Sequence, residues 1–370
     1  MIPVFEPVIE EDDIQAVVAA LRAGEVSGTF GESTKAFENE FAAYVGCQYG
    51  VAVNSGSSAL HLAVAAAGIG EGDEVLVSAS TNIATALAAY HNGALAIPVD
   101  SEPRTWNLDL EKLEELITPR TRAIIPVHLY GHPVDMDALM EIAQKHNLIV
   151  IEDCAESHGA TVRGRQTGSF GAMACFSFYA NKVITTGEGG MVTTNDAKLA
   201  ERLRLLRNLA FTEPRFKHNE AGFNFRMPGY VAALGLSQFR KIDRIIAEKR
   251  RVAHSYTAKL TDVPGLRLPV EEDWAHNVYW MYALVVEDGF GISRDELAAK
   301  LRAADIQTRT FFCPMSQQPV LKAQAGHREV PTPVADELWQ RGLYLPSAWN
   351  LDEESLARVC EVIVEAGRRS

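Results

Sequence analysis

The sequence predicts an α/β fold, with a mainly parallel sheet covered by helices and a smaller α+β C-terminal part. Three observations predict it. Short apolar runs alternate with stretches of helical period from residue 51 to residue 151. The strand-like run 51–53 opens into the turn Asn54-Ser55-Gly56-Ser57-Ser58 and then a helix. The apolar run 148–151 ends in two carboxylates, Glu152-Asp153, where a sheet of this kind places its ligands.

The elements follow in order. Ile2-Pro3-Val4 is held extended by its proline. Ile14, Val17, Val18 and Leu21 recur at helical spacing behind an acidic start, and Gly24 ends that helix. Residues 27–31 read as a loop, and Phe37, Phe41 and Tyr44 mark a second helix. After the helix with Leu60, Leu62 and Ala63 among its apolar residues come strand 74–77, helix 82–90, strand 94–99 and a helical piece at 113–117. Strand 122–129, helix 138–146 and strand 148–151 continue the alternation, and 174–179 is a further strand. Residues 199–206 are helical, and 211–223 are polar and irregular. A long helix then runs from 230 to about 260, with a break near its middle. It joins a large part, residues 1–245, to a small part, residues 246–370. The small part holds strands 280–286 and 307–312 and helices 294–303, 335–341 and 354–366.

Composition narrows the function. The 370 residues are 47% hydrophobic and 22% charged, which suits a globular protein with a sizeable core. A net charge of −13 argues against nucleic acid or an anionic membrane as partner, because both are bound by basic patches. The five cysteines, Cys47, Cys154, Cys175, Cys313 and Cys360, form no CxxC pair or metal-ligand spacing. They read as small apolar residues in a reducing compartment. The N-terminal stretch has no basic or apolar leader pattern, and no apolar run reaches about 18 residues. A cytoplasmic protein without a metal is the expectation.

The chemistry lies in two places. Gly56, Ser57 and Ser58 open a helix, where free N–H groups and the helix dipole favour an anion such as phosphate. The plain alternative is a serine cap without a ligand. The second place is residues 153–190. Asp153 ends one strand, and Lys182 follows another and precedes Gly187-Glu188-Gly189-Gly190. A strand-end carboxylate and a lone lysine suit pyridoxal phosphate (PLP). The lysine amine condenses with its aldehyde, and the carboxylate stabilises its protonated ring nitrogen.

Together these stretches resemble the DegT/DnrJ/EryC1/StrS family of sugar aminotransferases. The residues that carry the resemblance are Asp153 and Glu156, Ser177-Phe178 with Lys182, the Gly187 to Gly190 turn, the Gly56 turn, and Phe223-Asn224-Phe225-Arg226-Met227. It extends along the whole chain. It implies PLP fold type I, like aspartate aminotransferase, with Lys182 as the catalytic residue. It also implies that Asp153 pairs with the ring nitrogen and Glu156 with the ring oxygen. Gly56, Ser57, Ser58 and Ser177 would hold the phosphate, joined by Asn224 of the partner subunit. Asn82 stands where the family commonly has an aromatic residue stacked on the cofactor. Glu188, Arg226 and Arg309 are implied substrate-binding residues. The plain readings are a solvated lysine, turn carboxylates, strand hydroxyls and surface ion pairs.

The implied reaction moves an amino group from glutamate to a keto-sugar, a nucleotide-linked 4-keto-6-deoxy sugar, in a homodimer or larger oligomer. Asn82 and Cys313-Pro314-Met315-Ser316-Gln317-Gln318 leave room for another acceptor, such as a keto-octulosonate. Two other readings are a PLP-dependent sugar dehydratase, in which a histidine replaces the lysine, and a regulatory protein that keeps the fold without turnover.

Overall fold

The computed structural model describes residues 1–29 and 31–368. Phe30, in the expected loop 27–31, and the last two residues of the expected small part lie outside them. The first nine strands are β1 (Tyr49–Val53), β2 (Glu74–Ser78), β3 (Leu95–Val99), β4 (Thr121–Ile125), β5 (Ile149–Asp153), β6 (Thr161–Val162), β7 (Arg165–Gln166), β8 (Met173–Ser177) and β9 (Gly190–Thr194). Seven of them form one sheet in the order β1-β9-β8-β5-β4-β2-β3. Only β9 runs against its neighbours, so the sheet is mainly parallel as expected. Strand β9 itself was not foreseen, because its residues Gly190 to Thr194 carry no continuous apolar run.

Residues 266–344 contribute a four-stranded sheet, β10 (Leu266–Arg267), β12 (Ala283–Val286), β14 (Gly342–Tyr344) and β13 (Arg309–Thr310), in that order across the sheet. Strand β11 (Ala275–His276) pairs instead with β6. The expected strands 280–286 and 307–312 are shorter here. Their common partner β14 has three residues and pairs only with Ala283 to Val285 and with Arg309–Thr310, while β10 extends the pairing of β12 to Val286. Strand 122–129 stops at Ile125 because Pro126 has no N–H to donate. The helix expected at 82–90 is Ala84–His91, since Asn82 Oδ1 accepts the Ala84 N–H at 3.0 Å and starts it.

The long helix does break. Gly229–Phe239 and Ile242–Leu260 meet at Arg240-Lys241. Lys241 reaches the fully buried Asp13 at 2.7 Å, which also accepts from Ser237 and Gln238. This ties the first helix, Glu11–Arg22, to the break. The chain start crosses to the C-terminal part, where Ile2 bridges Ile306 and Val4 O accepts the Ser347 N–H at 2.8 Å. Among the described residues no helix is long and apolar enough to cross a membrane.

The sheet's hydrophobic strands bring buried carboxylates to its centre. Glu152 and Asp153, adjacent in β5, point to opposite sides because a strand alternates its side chains. Glu152 is fully buried and accepts from Gly168 N (2.7 Å), Phe170 N (2.8 Å) and Gly171 N (2.8 Å). His128 Nδ1 is occupied by the Val134 N–H, so its Nε2 proton faces Glu152 at 3.3 Å. His128, Glu152 and Cys154 lie close enough to suggest a metal cluster. The glutamate oxygens already meet four donors, so the group works as a structural hub. Glu152→Gln should destabilise the fold by about 2–4 kcal/mol, because an amide N–H would face backbone donors. Urea denaturation would measure it; an unchanged midpoint would remove the hub from this role.

Candidate active site

The carboxyl ends of β1, β5 and β8 lie on one side of the sheet, and Gly56, Asp153 and Ser177 lie at or just past them. Past β1, the Ser55 hydroxyl caps the Gly56–Ala66 helix by accepting the Ser58 N–H at 3.1 Å and donating to Ser58 Oγ at 2.9 Å. The cap is therefore Ser55, the first of the three serines in this turn. Ser57 is exposed at the mouth of the turn. Gly56 packs against Ser177 so closely that a Cβ there would lie 2.6 Å from the Ser177 Cβ. Only glycine permits that approach. The helix N-terminus and the Ser177 hydroxyl thus share one corner.

Asp153 ends β5 and is buried. Its Oδ2 accepts from Thr85 Oγ1 at 2.8 Å and its Oδ1 from Ala155 N at 3.1 Å. Burial raises its pKa, opposed by the Thr85 and Ala155 hydrogen bonds and by the charge of Lys182. No cation among the described residues lies within ion-pair distance of it. Thr85, itself bonded to Thr81 at 3.0 Å, was missed by sequence reading because a threonine within a helix carries no distinguishing pattern.

Lys182 follows β8, and its side chain is 11% exposed. Its amine sits 3.8 Å from the centre of the Trp280 ring and 3.9 Å from Glu156 Oε1. Burial pushes the lysine pKa down, while Glu156 and Asp153 oppose the shift. Burial pushes Glu156 up to about 7 against the pull of Lys182. The other Glu156 oxygen accepts the Tyr130 N–H at 2.8 Å. Tyr130 adopts φ 54°, a costly backbone state for a bulky residue, and this turns its N–H toward the carboxylate. Its ring stacks at 15° to Trp280 and at 11° to Phe312. Trp280 and Tyr130 carried no site signal beyond their aromatic character.

His158 is fully buried against Phe41, Phe176 and Phe178, with neither ring nitrogen bonded. Burial, with the Lys182 charge, pushes it down to about 3 and keeps it neutral.

The remaining expected residues lie further out. Asn82 is exposed and spends its side-chain oxygen on the helix cap. It lines a cavity of about 210 Å³ with Ser57, Ser58, His61 and Phe225. Glu188 is exposed in the loop before β9. Asn224 is exposed, while its neighbours Phe223 and Phe225 pack against His61. Arg226 bonds Asn208 Oδ1 at 2.7 Å within its own chain, a contact that local sequence could not reveal. Arg309 is exposed and stands opposite Tyr344 on the β13–β14 ladder.

The donor set fits PLP. The Gly56 corner suits its phosphate, the cation-free Asp153 its protonated ring nitrogen, and the Lys182 amine its aldehyde.

The chain matches the model of the DegT/DnrJ/EryC1/StrS aminotransferase family over residues 7–364. It is 45% identical to a GDP-perosamine synthase of Caulobacter vibrioides over 87% of each chain. It is 38% identical to a GDP-perosamine synthase of Escherichia coli O157:H7 over 98% of each. Among solved structures it is similar to S. venezuelae DesV in complex with a ketimine intermediate, with 38% identity and a TM-score of 0.90 over 97% of this chain and 95% of that one. The PLP form of Spr1654 from Streptococcus pneumoniae matches with 25% identity and a TM-score of 0.92 over 99% of this chain and 98% of that one. The chain belongs to the DegT/DnrJ/EryC1/StrS aminotransferase family and is a PLP-dependent enzyme.

Proposed function

We propose that this enzyme transfers an amino group from glutamate to a nucleotide-linked 4-keto-6-deoxy sugar, as a GDP-perosamine synthase would. The carrying observation is the buried Lys182 amine beside Glu156, on the side of the sheet where Asp153 and the Gly56 corner also lie. The names of the Caulobacter vibrioides and Escherichia coli relatives support the acceptor. Bound PLP supplies an aldehyde for the amino group and a ring that accepts electrons from the donor carbon.

The chain's own residues do the rest. The backbone N–H groups at Gly56 and Ser57, with Ser58 and the Ser177 hydroxyl, bind the phosphate. Asp153, aimed by Thr85 and Ala155, keeps the ring nitrogen protonated. Lys182 Nζ, kept less basic by burial, takes the proton from the donor's α-carbon and delivers one to the acceptor carbon in the second half-reaction. Glu156 holds the ring oxygen and is itself fixed by Tyr130. Asn82, which lines a cavity with Ser57 and Ser58, would stand near the cofactor without an aromatic face to stack on it. Glu188 and Arg309 meet the substrates at the rim, and Arg226 serves there through its grip on Asn208.

Asn224 of the partner subunit completes the phosphate site, which makes the active form at least a homodimer. The proposed division is 1–245 and 246–370, with Arg309 exposed on β13 in the small part. Five free cysteines, four of them buried, support a reducing, cytoplasmic setting.

Three outcomes test this reading. Lys182→Ala should cut turnover by about 10²–10⁴-fold and abolish the visible band of the lysine-bound cofactor. Spectral titration with glutamate and GDP-4-keto-6-deoxymannose measures both; undiminished turnover would remove Lys182 from its role. Asp153→Asn should weaken PLP binding by about 30-fold or more, since a buried charge loses its partner. Equilibrium dialysis reads that loss. Glu156→Gln should lower the Lys182 pKa further, because the carboxylate's charge is what holds it up. The pH midpoint for recombination of apoenzyme with PLP should then move down; an upward move would contradict the assignment.

A further inference from the structure

Beside Lys182 lies a small cavity of about 20 Å³ that the reaction does not use. Its wall includes Asn181, Lys182, Thr185, Gln238, Lys249 and Ser347, with the N-terminal residues 5–8 across it. Most polar groups on this wall are spent. Thr185 Oγ1 donates to Phe178 O and accepts from Gly187 N. Gln238 Nε2 donates to Val8 O and to Asp13. Ser347 Oγ donates to Leu345 O and accepts from Tyr282 N.

Two groups retain capacity. Lys249 is 6% exposed, and among the described residues its amine donates only to Ser347 O, at 2.7 Å. An amine on a lysine carries more hydrogen-bonding capacity than one carbonyl can satisfy. Asn181 Oδ1 is buried without a partner. The residues that carry this spare donor and this orphaned acceptor both line the one cavity. A water molecule needs roughly 10–15 Å³ of such space, so a cavity of about 20 Å³ has room for one. Burial pushes the Lys249 amine down to about 7. The other titratable residues on the wall are Lys182 and, from the N-terminal segment, Glu6.

We propose that this cavity is a binding site for a single water, which accepts from Lys249 and donates to Asn181 Oδ1, and that Lys249 is thereby a positioning residue for Lys182. Asn181 is the residue before Lys182. Its carbonyl accepts from Trp280 Nε1 at 2.7 Å, and the Trp280 ring faces the Lys182 amine. The peptide that carries Lys182 is thus held at its carbonyl by Trp280 and at the Asn181 side chain by the water. Lys249 lies on the Ile242–Leu260 helix, and Ser347 follows β14, so the water ties the C-terminal part to the lysine's own peptide. The water site follows from the cavity. Its effect on rate rests on the proposed role of Lys182.

A high-resolution crystal structure of the PLP-bound enzyme tests the site directly. One water should lie within about 2.7–3.2 Å of both Lys249 Nζ and Asn181 Oδ1. An empty cavity, or a direct bond between the two side chains, overturns the site whatever Lys182 does. Kinetics of Lys249→Met, Asn181→Leu and the double variant test the positioning. Each single change should slow the single-turnover reaction with glutamate by about threefold to tenfold, with KM for glutamate unchanged. The double variant should be no slower than the slower single one, because both changes remove the same bridge. Lys249→Gln, which keeps a donor, should recover part of the rate. Multiplying losses, or a change confined to KM, overturns the positioning role. The crystallographic result needs no variant, so a misfolded Lys249→Met leaves the proposal open to refutation.

Discussion

A carboxylate removed from water must be given donors or a cation, and β5 ends in two of them. The alternation of the strand sends them to opposite sides. Glu152 enters the protein body and is met by three backbone N–H groups and His128. Asp153 faces the site with two donors and no cation. The first is complete and the second is not, and the difference is set by neighbours rather than by residue type. The donors to Glu152 come from the turn before β8 and from the segment after β4. That single side chain therefore fixes the relative positions of three strand ends. The Tyr130 N–H that holds Glu156 lies in the same 128–134 segment, so the hub reaches the lysine's surroundings as well.

Packing then sets the electrostatics. Lys182 and Glu156 are both buried, and each is driven toward its neutral form by loss of water, while their mutual attraction resists. A lysine amine in water is protonated at neutral pH and a poor base. Desolvation against the Trp280 face is the physical means by which this amine becomes available. The aromatic stack of Trp280, Tyr130 and Phe312 provides that dry wall, and its strained member, Tyr130, is also the residue that fixes Glu156.

Much of this was legible in the sequence, for identifiable reasons. The alternation of apolar runs and helical periods reports a covered parallel sheet, because both faces of its strands must be apolar. A glycine between a strand and a helix reports a close backbone approach, and Ser177 fills the space that a Cβ would take. Asp153 and Lys182 were legible because each follows a strand end. What stayed hidden depends on contacts across long separations. Thr85 lies 68 residues from Asp153, and Glu152 looks like any strand-end acid until its donors are assembled. Strand lengths in the C-terminal part were overestimated because a ladder is limited by its shortest member, and a three-residue β14 is invisible from its partners' sequences. Ser55 could not be singled out as the cap, because three serines in four positions satisfy the same pattern.

The charge pattern around Lys182 argues for a particular kind of ligand. Burial drives Asp153, Glu156, His158 and Lys182 toward neutrality together. His158, held near 3, stays neutral and cannot serve as the missing cation for Asp153. Lys182 is engaged with Glu156 instead. A ligand that completes this arrangement must bring positive charge to Asp153 and negative charge to the helix N-terminus at Gly56, and must present an electrophile to an amine between them. A protonated pyridine with a phosphate arm and an aldehyde meets all three conditions at once. A simple anion, or a metal ion, meets only one. The cofactor is therefore specified less by any single residue than by the separation of opposite electrostatic demands across one side of the sheet.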